Sequence, residues 1–430
     1  MAKRVSLLLL LCLWLVANLT GCYDAAEVDD EVYALVLGID KGVNNKVRVT
    51  IQYPTYKSSG GGGGESEANS GMGAKNETPG AIIDTIEAPS ILEALDMYGM
   101  SVSRRVSLMH MKNMIISQEL AEEGVQTYVS PLARYREARG VVNISVVQGT
   151  AQKFIQENKS NIGESLAKAL ELMTVQSENT SFFPRVTFYE FYKSLLSTYE
   201  QSYAAYAGLN ELKNLPEKKY IGKAPLMVDN AFKPGEIPRS GAAKREYAGT
   251  AVFFDGKMVG SLNSEETRYF MMIVGKFKKG IIDMEDWESQ GDAISLDVRP
   301  SRRPVVKGYF KKGRPIISVD LEMEADIGAI QSRVNYEDKE QVKKLSTKAE
   351  SYLERRVVQV IGKVQQQYNS DIFGFGQKLA GYFPTIQEWE KYDWLSHFKD
   401  AGVNVKVKVS IRRTGLMLKS ARVTGTKKQP

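Results

Sequence analysis

Thr250-Ala-Val-Phe-Phe-Asp-Gly-Lys-Met-Val-Gly-Ser-Leu262 is the stretch of the chain with the most specific local pattern. Two runs rich in apolar residues, Thr250–Phe254 and Lys257–Leu262, flank the pair Asp255-Gly256. Asp-Gly is a favoured pair for a two-residue type I′ turn, in which both central residues need a positive φ angle. The stretch therefore predicts a β-hairpin. Asn263-Ser-Glu-Glu266 follows with a capping-box pattern, which predicts that a helix begins directly after the hairpin and runs to Val274.

Strands and helices alternate on the amino-terminal side of this hairpin. Lys46–Tyr53 alternates apolar and polar residues, which predicts a strand with one buried face. Val141–Val147 is a nearly continuous apolar run, typical of a buried strand, and Thr150 is a suitable cap for a helix over Ala151–Glu157. This alternation predicts a mixed α/β fold, placed in the α+β class with mixed sheets flanked by helices.

A long helix is predicted near the carboxyl terminus, over residues 336–368. Asn335, with Asp338 three residues on, supplies a start signal, and apolar residues recur at helical spacing from Val342 to Val364. The remaining positions are charged, so one face is solvated and the other packs. Two alternating strands, Pro315–Glu324 and Val403–Ile411, flank this helix in the sequence.

Composition shifts predict three domains in a soluble body. The segment between residues 200 and 245 is rich in proline and glycine and is interpreted as an interdomain region. Residues 57–80, which include five consecutive glycines at Gly60–Gly64, are interpreted as a disordered insertion because they contain almost no apolar residue. The predicted domains are a mixed α/β domain over 33–200, a middle domain over 201–290 that holds the hairpin 250–262, and a carboxyl-terminal α/β domain over 291–430.

The first 21 residues have the layout of a secretory signal peptide. Lys3 and Arg4 precede an apolar run, Val5–Ala17, of 13 residues. A membrane-spanning helix needs about 20 apolar residues, so this run is too short to remain as an anchor. The run ends in Leu19-Thr-Gly-Cys22, which resembles a bacterial lipobox. That resemblance implies cleavage between Gly21 and Cys22, with S-diacylglyceryl and N-acyl groups on Cys22, and residues 22–32 then form a lipidated spacer.

The cysteine count and the net charge exclude several classes of function. Cys12 lies in the predicted signal and Cys22 is the predicted lipid site, so the mature chain has no free thiol for a disulfide or for a cysteine-based metal site. The formal charge of +6 falls to +4 when Lys3 and Arg4 are removed. That charge is too small for a nucleic-acid-binding protein, but it suits a protein beside anionic lipid. We expect no metal and no cofactor.

No catalytic site is predicted, and the chain is interpreted as not an enzyme. His110 and His397 are the two histidines, and neither has a partner at metal-ligand spacing. His-Glu-x-x-His and Gly-x-Ser-x-Gly motifs are absent from the sequence. Two carboxylate pairs, Glu265/Glu266 and Asp283/Asp286, are candidates for acid–base catalysis. Pairs of this kind are expected by chance in a chain with 51 acidic residues, so neither is interpreted as an active site. Three basic runs are interpreted as solvated faces, with contact to anionic lipid as the alternative: Lys276–Lys279, Arg302-Arg303 with Lys311-Lys312, and Lys406–Arg413.

In its motifs and their order the chain resembles the Ger(x)C family, the lipoprotein C subunits of spore germinant receptors. Two differences are visible: Tyr23 stands where the family often has Trp, and the glycine-rich insertion at 57–80 is longer than expected. The segments that carry the resemblance are Gly21-Cys-Tyr-Asp24 with Glu27-Val28, Leu35–Asp40, Arg136-Glu-Ala-Arg139 with Val141–Gly149, Gly249–Leu262, and Asp371-Ile-Phe-Gly-Phe-Gly376.

The resemblance implies a non-enzymatic subunit on the outer face of the spore inner membrane. It implies integral-membrane A and B receptor subunits as partners, membrane lipid bound through Cys22, and a three-domain mixed α/β fold. Cys22 is the only residue whose role carries over, and direct binding of a small-molecule germinant stays open. Two other classes also stay open: a solute-binding lipoprotein of an importer, which usually has two similar lobes that this chain lacks, and a cell-envelope hydrolase.

Overall fold

The computed structural model of the protein describes residues 4–7, 14, 30–54, 81–157, 166–211, 226–229, 231–241, 243–332 and 334–415. The predicted cleavage site at Gly21 and Cys22 and the predicted glycine-rich insertion at 57–80 lie outside the described residues. The described strands are β1 Glu31–Tyr33, β2 Val36–Lys41, β3 Val47–Pro54, β4 Ala81–Ala88, β5 Arg105–Ser107, β6 Asn113–Ser117, β7 Asn143–Val147, β8 Tyr203–Leu209, β9 Arg245–Phe254, β10 Lys257–Leu262, β11 Gly280–Glu285, β12 Ala293–Pro300, β13 Val305–Lys311, β14 Arg314–Ile330 and β15 Gly402–Arg413.

Helices lie between these strands and confirm the predicted mixed α/β class. The described α-helices are α1 Ile91–Tyr98, α2 Gln118–Glu123, α3 Gln126–Arg134, α4 Ala151–Gln156, α5 Leu166–Thr180, α6 Phe188–Leu195, α7 Ser264–Val274, α8 Lys339–Lys363, α9 Ile386–Tyr392 and α10 Trp394–His397.

The first sheet has eight strands in the order β10-β9-β8-β7-β6-β2-β3-β4. Strands β2, β6, β7 and β8 are parallel to one another, and antiparallel pairs close the sheet at both ends. One face of the sheet shares a core with α1, α2, α3 and α6, and the other face is covered in part by α4 and α5. Both faces of the central parallel strands are buried, which explains their nearly continuous apolar sequences.

The second sheet has five strands and is built around β14, a strand of 17 residues. Strands β12 and β13 pair with the two halves of β14, and β15 pairs with it in parallel from Ile316 to Asp326. The β14 residues that pair with β15 belong to both of these halves. Strand β15 therefore pairs with one edge of β14, and β12 and β13 pair with the other edge. Alternate residues of β14 are buried throughout, as a sheet with one packed face requires.

Helix α7 connects the two sheets. It follows the hairpin of β9 and β10, contacts β9 in the first sheet and β14 in the second, and packs against α8. Nine of its eleven residues are buried, because it has a packed layer on each side. Its side chains, including Tyr269 and Phe270, belong to the same core as Ile317, Val319 and Leu353.

The predicted long helix is present, although it begins three residues after the predicted start at residue 336. Helix α8 begins after the cap Asp338, whose side chain accepts a hydrogen bond from the Glu340 backbone N–H at 3.0 Å. A π-helical turn over Val364–Tyr368 continues it to the predicted last residue. Leu345, Ala349 and Leu353 form its buried stripe, as the apolar spacing predicts.

The sheets divide the described residues differently from the predicted domains. Strands β8, β9 and β10 all belong to the first sheet, so the predicted boundary at residue 200 falls inside that sheet's run of strands. The hairpin 250–262 thus pairs with β8 in the first sheet, and the division into three domains stays a prediction. The strands on either side of the proline-rich segment, β8 and β9, are antiparallel neighbours, with a register shift between Ala205 and Ala207.

Two further predictions from the sequence pattern are wrong: one strand over Val106–Ser117, and a helix over Gln118–Arg139 that is interrupted at Pro131. Val106–Ser117, predicted as one strand, is β5 and β6 with a turn between them, in which Met111 N donates to Leu108 O. Pro131 does not interrupt the predicted helix over 118–139, because it lies inside α3, whose break from α2 falls at Gly124 with a φ of 137°. Glycine, with no Cβ, accepts that backbone angle without strain.

Candidate functional site

The hairpin motif Gly249–Leu262 is in direct contact with the residues just before the Asp371–Gly376 motif, about a hundred positions later in the sequence. The Ser370 hydroxyl donates to the Phe253 carbonyl at 2.5 Å, and the Tyr368 hydroxyl donates to the Ser261 carbonyl at 2.9 Å. Gly260 faces the Tyr368 ring so closely that an added Cβ would lie 2.3 Å from a ring carbon. The hairpin of β9 and β10 is thus fixed against the segment that follows α8.

Asp371 organises the turn that it begins. Its carboxylate accepts hydrogen bonds from the backbone N–H groups of Phe373, Phe375 and Gly376 and from Trp394 Nε1, at 2.8–3.2 Å. The residue is fully buried, and burial raises the pKa of the Asp371 carboxyl to about 6 although these four hydrogen bonds act to lower it. The carboxylate thus accepts the backbone hydrogen bonds that a helix or a neighbouring strand would accept in a regular element.

Aromatic rings and glycines give this turn its shape. The rings of Phe373 and Phe375 stack with centroids 4.9 Å apart, and Phe270 of α7 lies 5.7 Å from Phe373. Gly374 has a φ of 72°, in the left-handed region that favours glycine. Gly376 lies against the Tyr199 carbonyl and the Trp394 indole, with no room for a Cβ. The Asp371–Gly376 turn therefore packs against α7 and against Tyr199, which precedes β8 of the first sheet.

A cleft of about 680 Å³ opens beside this turn. Its walls come from the end of α7, from the segment that joins β12 to β13, from the middle of β14 and from the turn itself. The apolar part of its lining includes Met272, Phe277, Val306, Leu321, Met323, Ile372 and Phe373. A volume of this size is typical of a binding site for a small molecule or for one segment of a partner protein.

The rim of the cleft carries more positive than negative charge. Its charged residues are Lys278, Arg302, Arg303, Lys378, Glu200 and Glu322. Arg302 pairs with Glu322 at 2.9 Å. Lys278, Arg303 and Lys378 are exposed and make no ion pair with another described residue. The cleft therefore favours an anionic group over a cationic one.

Comparison with known proteins identifies the family. A model described as "Spore germination protein N-terminal domain" matches residues 24–209, and one described as "Spore germination B3/ GerAC like, C-terminal" matches residues 248–415. The chain belongs to the Ger(x)C family. The hairpin motif Gly249–Leu262 and its partners Tyr368 and Ser370 all lie within the second match, so the contact between them is internal to one family unit.

Curated relatives of this Ger(x)C chain come from Bacillus subtilis (strain 168). It is 26% identical to "Spore germination protein KC" over 96% of its own length and 97% of that protein. It is 23% identical to "Spore germination protein YndF", with the same two shares, and 20% identical to "Spore germination protein B3", with 92% and 95%. A solved structure, "Crystal Structure of the GerBC protein", aligns with a TM-score of 0.47 and 16% identity, over 87% of this chain and 96% of that one.

The structure does not bring the two histidines together. His110 packs edge-on against Tyr33 beside the first sheet, with centroids 4.5 Å apart. His397 stacks on Tyr392 near the end of α10, at 4.6 Å, and its Nδ1 lies 2.9 Å from the Asp393 carbonyl. Within the described residues, no group of three or more His, Cys, Asp and Glu side chains is placed to hold a metal ion.

The carboxylate pairs singled out in the sequence make structural contacts. Glu265 accepts from the Tyr269 hydroxyl, and burial raises the pKa of its carboxyl. Glu266 completes the capping box of α7 and binds Lys363 Nζ at 2.7 Å. Asp283 accepts from the Ser295 hydroxyl and Asp286 from the Tyr336 hydroxyl, each at 2.5 Å.

The basic runs lie at three separate places. Lys276 pairs with Glu190 at 3.0 Å and is only partly exposed. Lys406 and Lys408 project from β15 into solvent between the buried Val407 and Val409, as a strand with one solvated face requires. Among the helices of the described residues, none is long and apolar enough to cross a membrane.

One buried cation was missed by sequence reasoning. Arg268 is 3% exposed, its guanidinium lies 3.8 Å from the centroid of Phe182, and it donates to the carbonyls of Thr180 and Ile281. These contacts join α7 to the end of α5 and to β11. The local pattern around Arg268 is that of an ordinary exposed helical position, so only the tertiary structure reveals this role.

Proposed function

We propose that this protein is the lipid-anchored C subunit of a spore germinant receptor. In this proposal it assembles with integral-membrane A and B subunits on the outer face of the spore inner membrane and is needed for nutrient-triggered germination. The observation that carries the proposal is the match of two spore germination family models, in order, to residues 24–209 and 248–415. End-to-end alignment with the relatives named spore germination proteins KC and B3 supports it, because no large part of either sequence is left over.

The proposed role is structural and not catalytic. The segment after α8 packs against the hairpin of β9 and β10, the Asp371–Gly376 turn lines one wall of the cleft, and the two histidines lie apart in different surroundings. The cleft, with its apolar floor and cationic rim, is a surface on which a partner subunit is able to dock.

Deletion of the gene tests the role in germination. We expect spores of the deletion strain to lose their response to one class of nutrient and to keep their response to a non-nutrient trigger. Germination is followed by the loss of optical density of a spore suspension. A normal nutrient response in a strain without a redundant receptor contradicts the proposal.

Cys22→Ala tests the proposed anchor. Without the thiol no diacylglycerol is attached, so the protein should leave the membrane fraction or keep its uncut signal, and nutrient germination should fall. Cys12→Ala is the matched control, because Cys12 lies in the segment that is removed, and it should behave as the wild type. Mass spectrometry of the mature amino terminus reports the modification. An unmodified Cys22 sulfur in the wild-type protein contradicts the anchor.

Co-purification tests the proposed partners. The tagged wild-type protein, extracted from spore membranes in mild detergent, should bring down two integral-membrane subunits in fixed proportion. Recovery of the intact, lipidated protein without either subunit contradicts the assembly.

A further inference from the structure

We propose that the first sheet rests on an anionic membrane surface through the edge at which strands β2, β6 and β7 begin. This edge is called the strand-start edge and is defined by Met109, His110, Arg139, Val141, Arg185 and Tyr189. The inference rests on the proposed lipid attachment at Cys22 and adds an orientation of the molecule against the bilayer.

The register of the parallel strands places these residues at one edge. Val36 pairs with Asn113 and Asn113 with Asn143, so the three strands begin side by side. The loops that lead into β6 and β7 carry Met109 and Val141. Tyr189 joins them through its backbone N–H, which donates to the Gly140 carbonyl at 3.0 Å.

Strand β1, the first strand after the proposed attachment point, lies close to this edge. β1 runs alongside β5, and the Ala34 N–H donates to the Ser107 carbonyl just before the loop that holds Met109. Asp30, the first described residue before β1, is eight positions after Cys22. An extended chain spans at most about 3.6 Å per residue, so Asp30 is held within about 29 Å of the lipid headgroups.

Large apolar side chains are exposed at this edge. The exposed fractions are 67% for Val141, 65% for Tyr189 and 50% for Met109. Side chains of this kind that lie near a membrane interface insert their apolar part at the level of the headgroups, where Tyr is among the favoured residues.

The same edge carries a net positive charge. Met109, Arg139, Val141 and Arg185 border a depression of about 320 Å³ together with Lys112, His110 and Glu171. Lys112 is paired with Glu171 at 3.0 Å, and Arg185 Nε donates to the Asn143 amide oxygen at 3.2 Å. Arg139 is exposed and has no ion pair with a described residue. Two positive charges are thus left over at this depression, which matches the phosphates of an anionic leaflet.

The opposite edge of the sheet lacks this excess of positive charge. The turn between β2 and β3 carries Val43, and the nearby Lys41 pairs with Glu119 and Glu123, with its Nζ at 3.5 and 2.9 Å. Lys46 in the same turn balances the second carboxylate, so these four charged groups have no net charge. An anionic leaflet therefore attracts the strand-start edge more strongly than this edge.

A pair of single-cysteine variants tests the orientation. Because the mature chain has no free thiol once Cys22 is lipidated, Val141→Cys and Val43→Cys each offer one site for a fluorescent label. The full lipidated proteins are placed in vesicles of equal parts phosphatidylglycerol and phosphatidylcholine that contain a lipid with a nitroxide near its ester linkage. We expect strong quenching of the label at position 141 and little at position 43. Equal quenching at the two positions, or stronger quenching at 43, overturns the proposal.

A charge variant tests the electrostatic part. Arg139→Gln with Arg185→Gln should reduce the quenching at position 141, because each cation near an anionic leaflet changes the docking equilibrium by about fivefold. Arg302→Gln with Arg303→Gln, on the rim of the cleft, is the matched control and should leave it unchanged. Quenching that responds only to the cleft variant overturns the proposal.

The two proposals fail in distinguishable ways. Mass spectrometry and vesicle flotation of the Val43→Cys protein first establish whether Cys22 is lipidated. If it is not, the anchor fails; if it is and position 141 stays unquenched, the orientation alone is wrong. Protection of position 141 only when the co-purified receptor subunits are added assigns the edge to a protein partner and overturns the membrane proposal.

Discussion

Asp371 illustrates how one side chain determines the conformation of a segment with no regular structure. Three backbone N–H groups and one indole N–H converge on its two oxygens, so the carboxylate stabilises a turn that neither sheet supports. The sequence marks the Asp371–Gly376 segment as a family motif, and the structure adds the reason: its first residue binds the backbone of the rest. Nothing in the one-dimensional pattern indicates that Trp394, more than twenty residues later, supplies the fourth donor.

Gly376→Ala should destabilise the protein strongly. A Cβ at this position would lie 2.4 Å from the Tyr199 carbonyl oxygen and 2.5 Å from Trp394 Cδ1, so backbone and a buried ring must both move. Overpacking of this kind costs about 1–3 kcal/mol or more of the free energy of unfolding. Gly381→Ala is the matched control, because nothing lies within 4 Å of its added Cβ. Chemical denaturation measures both, and equal effects contradict the packing described for Gly376.

The protein's stability should depend on pH through Asp371. Its folded-state pKa is raised from 3.8 to about 6, so between these values the folded state holds a proton that the unfolded state has released. The contribution of this group is therefore present below about pH 4 and lost as pH rises through about 6, by about 2–3 kcal/mol. Asp371→Asn removes the titration. From pH 4 to pH 7 the unfolding free energy of the wild type should fall relative to that of the variant. A difference between the two proteins that does not change with pH contradicts the raised pKa.

At the scale of elements, the sequence predicted turns and helix starts best, because the residues that determine them lie within a few positions of one another. Asp255 and Gly256 have φ angles of 48° and 73°, which confirms the type I′ turn. The capping box at Asn263 and Glu266 is formed in both directions. By contrast, β13 was not predicted, because it is half exposed along its whole length and its apolar residues do not form a buried run.

Asn263→Ala should weaken the start of α7. The Asn263 side-chain oxygen accepts a hydrogen bond from the backbone N–H of Glu266 at 2.8 Å. The backbone N–H of Asn263 donates to the Glu266 carboxylate at 2.9 Å. Loss of an N-cap costs about 1 kcal/mol of the free energy of unfolding. The Glu266 N–H that loses its acceptor is also partly buried, so the expected cost is about 1–2 kcal/mol. Asn263→Asp retains an acceptor and should stay within about 0.5 kcal/mol of the wild type. Thermal unfolding distinguishes the two, and equal losses contradict the capping role.

At the scale of the whole molecule, α7 makes the two sheets depend on each other. Its side chains lie in one core with β14 and α8, while the hairpin before it belongs to the first sheet. Strand neighbours were the least predictable feature, because the neighbour of each strand is determined by pairing across the fold and not by distance along the chain. Strands β8 and β9 show this: a long proline-rich segment separates them in the sequence, yet they are partners in one sheet.

Calorimetry of the purified protein should therefore show one unfolding transition. Phe270→Ala, which removes a fully buried ring from α7, should lower the transition temperature of both sheets together, at a cost of about 3–5 kcal/mol. Thr385→Ala, at the cap of the peripheral α9, should have a smaller effect. Two separate transitions in the wild type, or a split in the Phe270→Ala variant, contradict the coupling.

The strand order of the first sheet also bears on biogenesis. Strand β2, in the interior of this sheet, begins at Val36, yet the end strand β10 finishes only at Leu262. A polypeptide synthesised from its amino end leaves this layer incomplete until more than half of it has been made. Under the proposed anchoring at Cys22, export and lipid attachment would take place while this sheet is still incomplete.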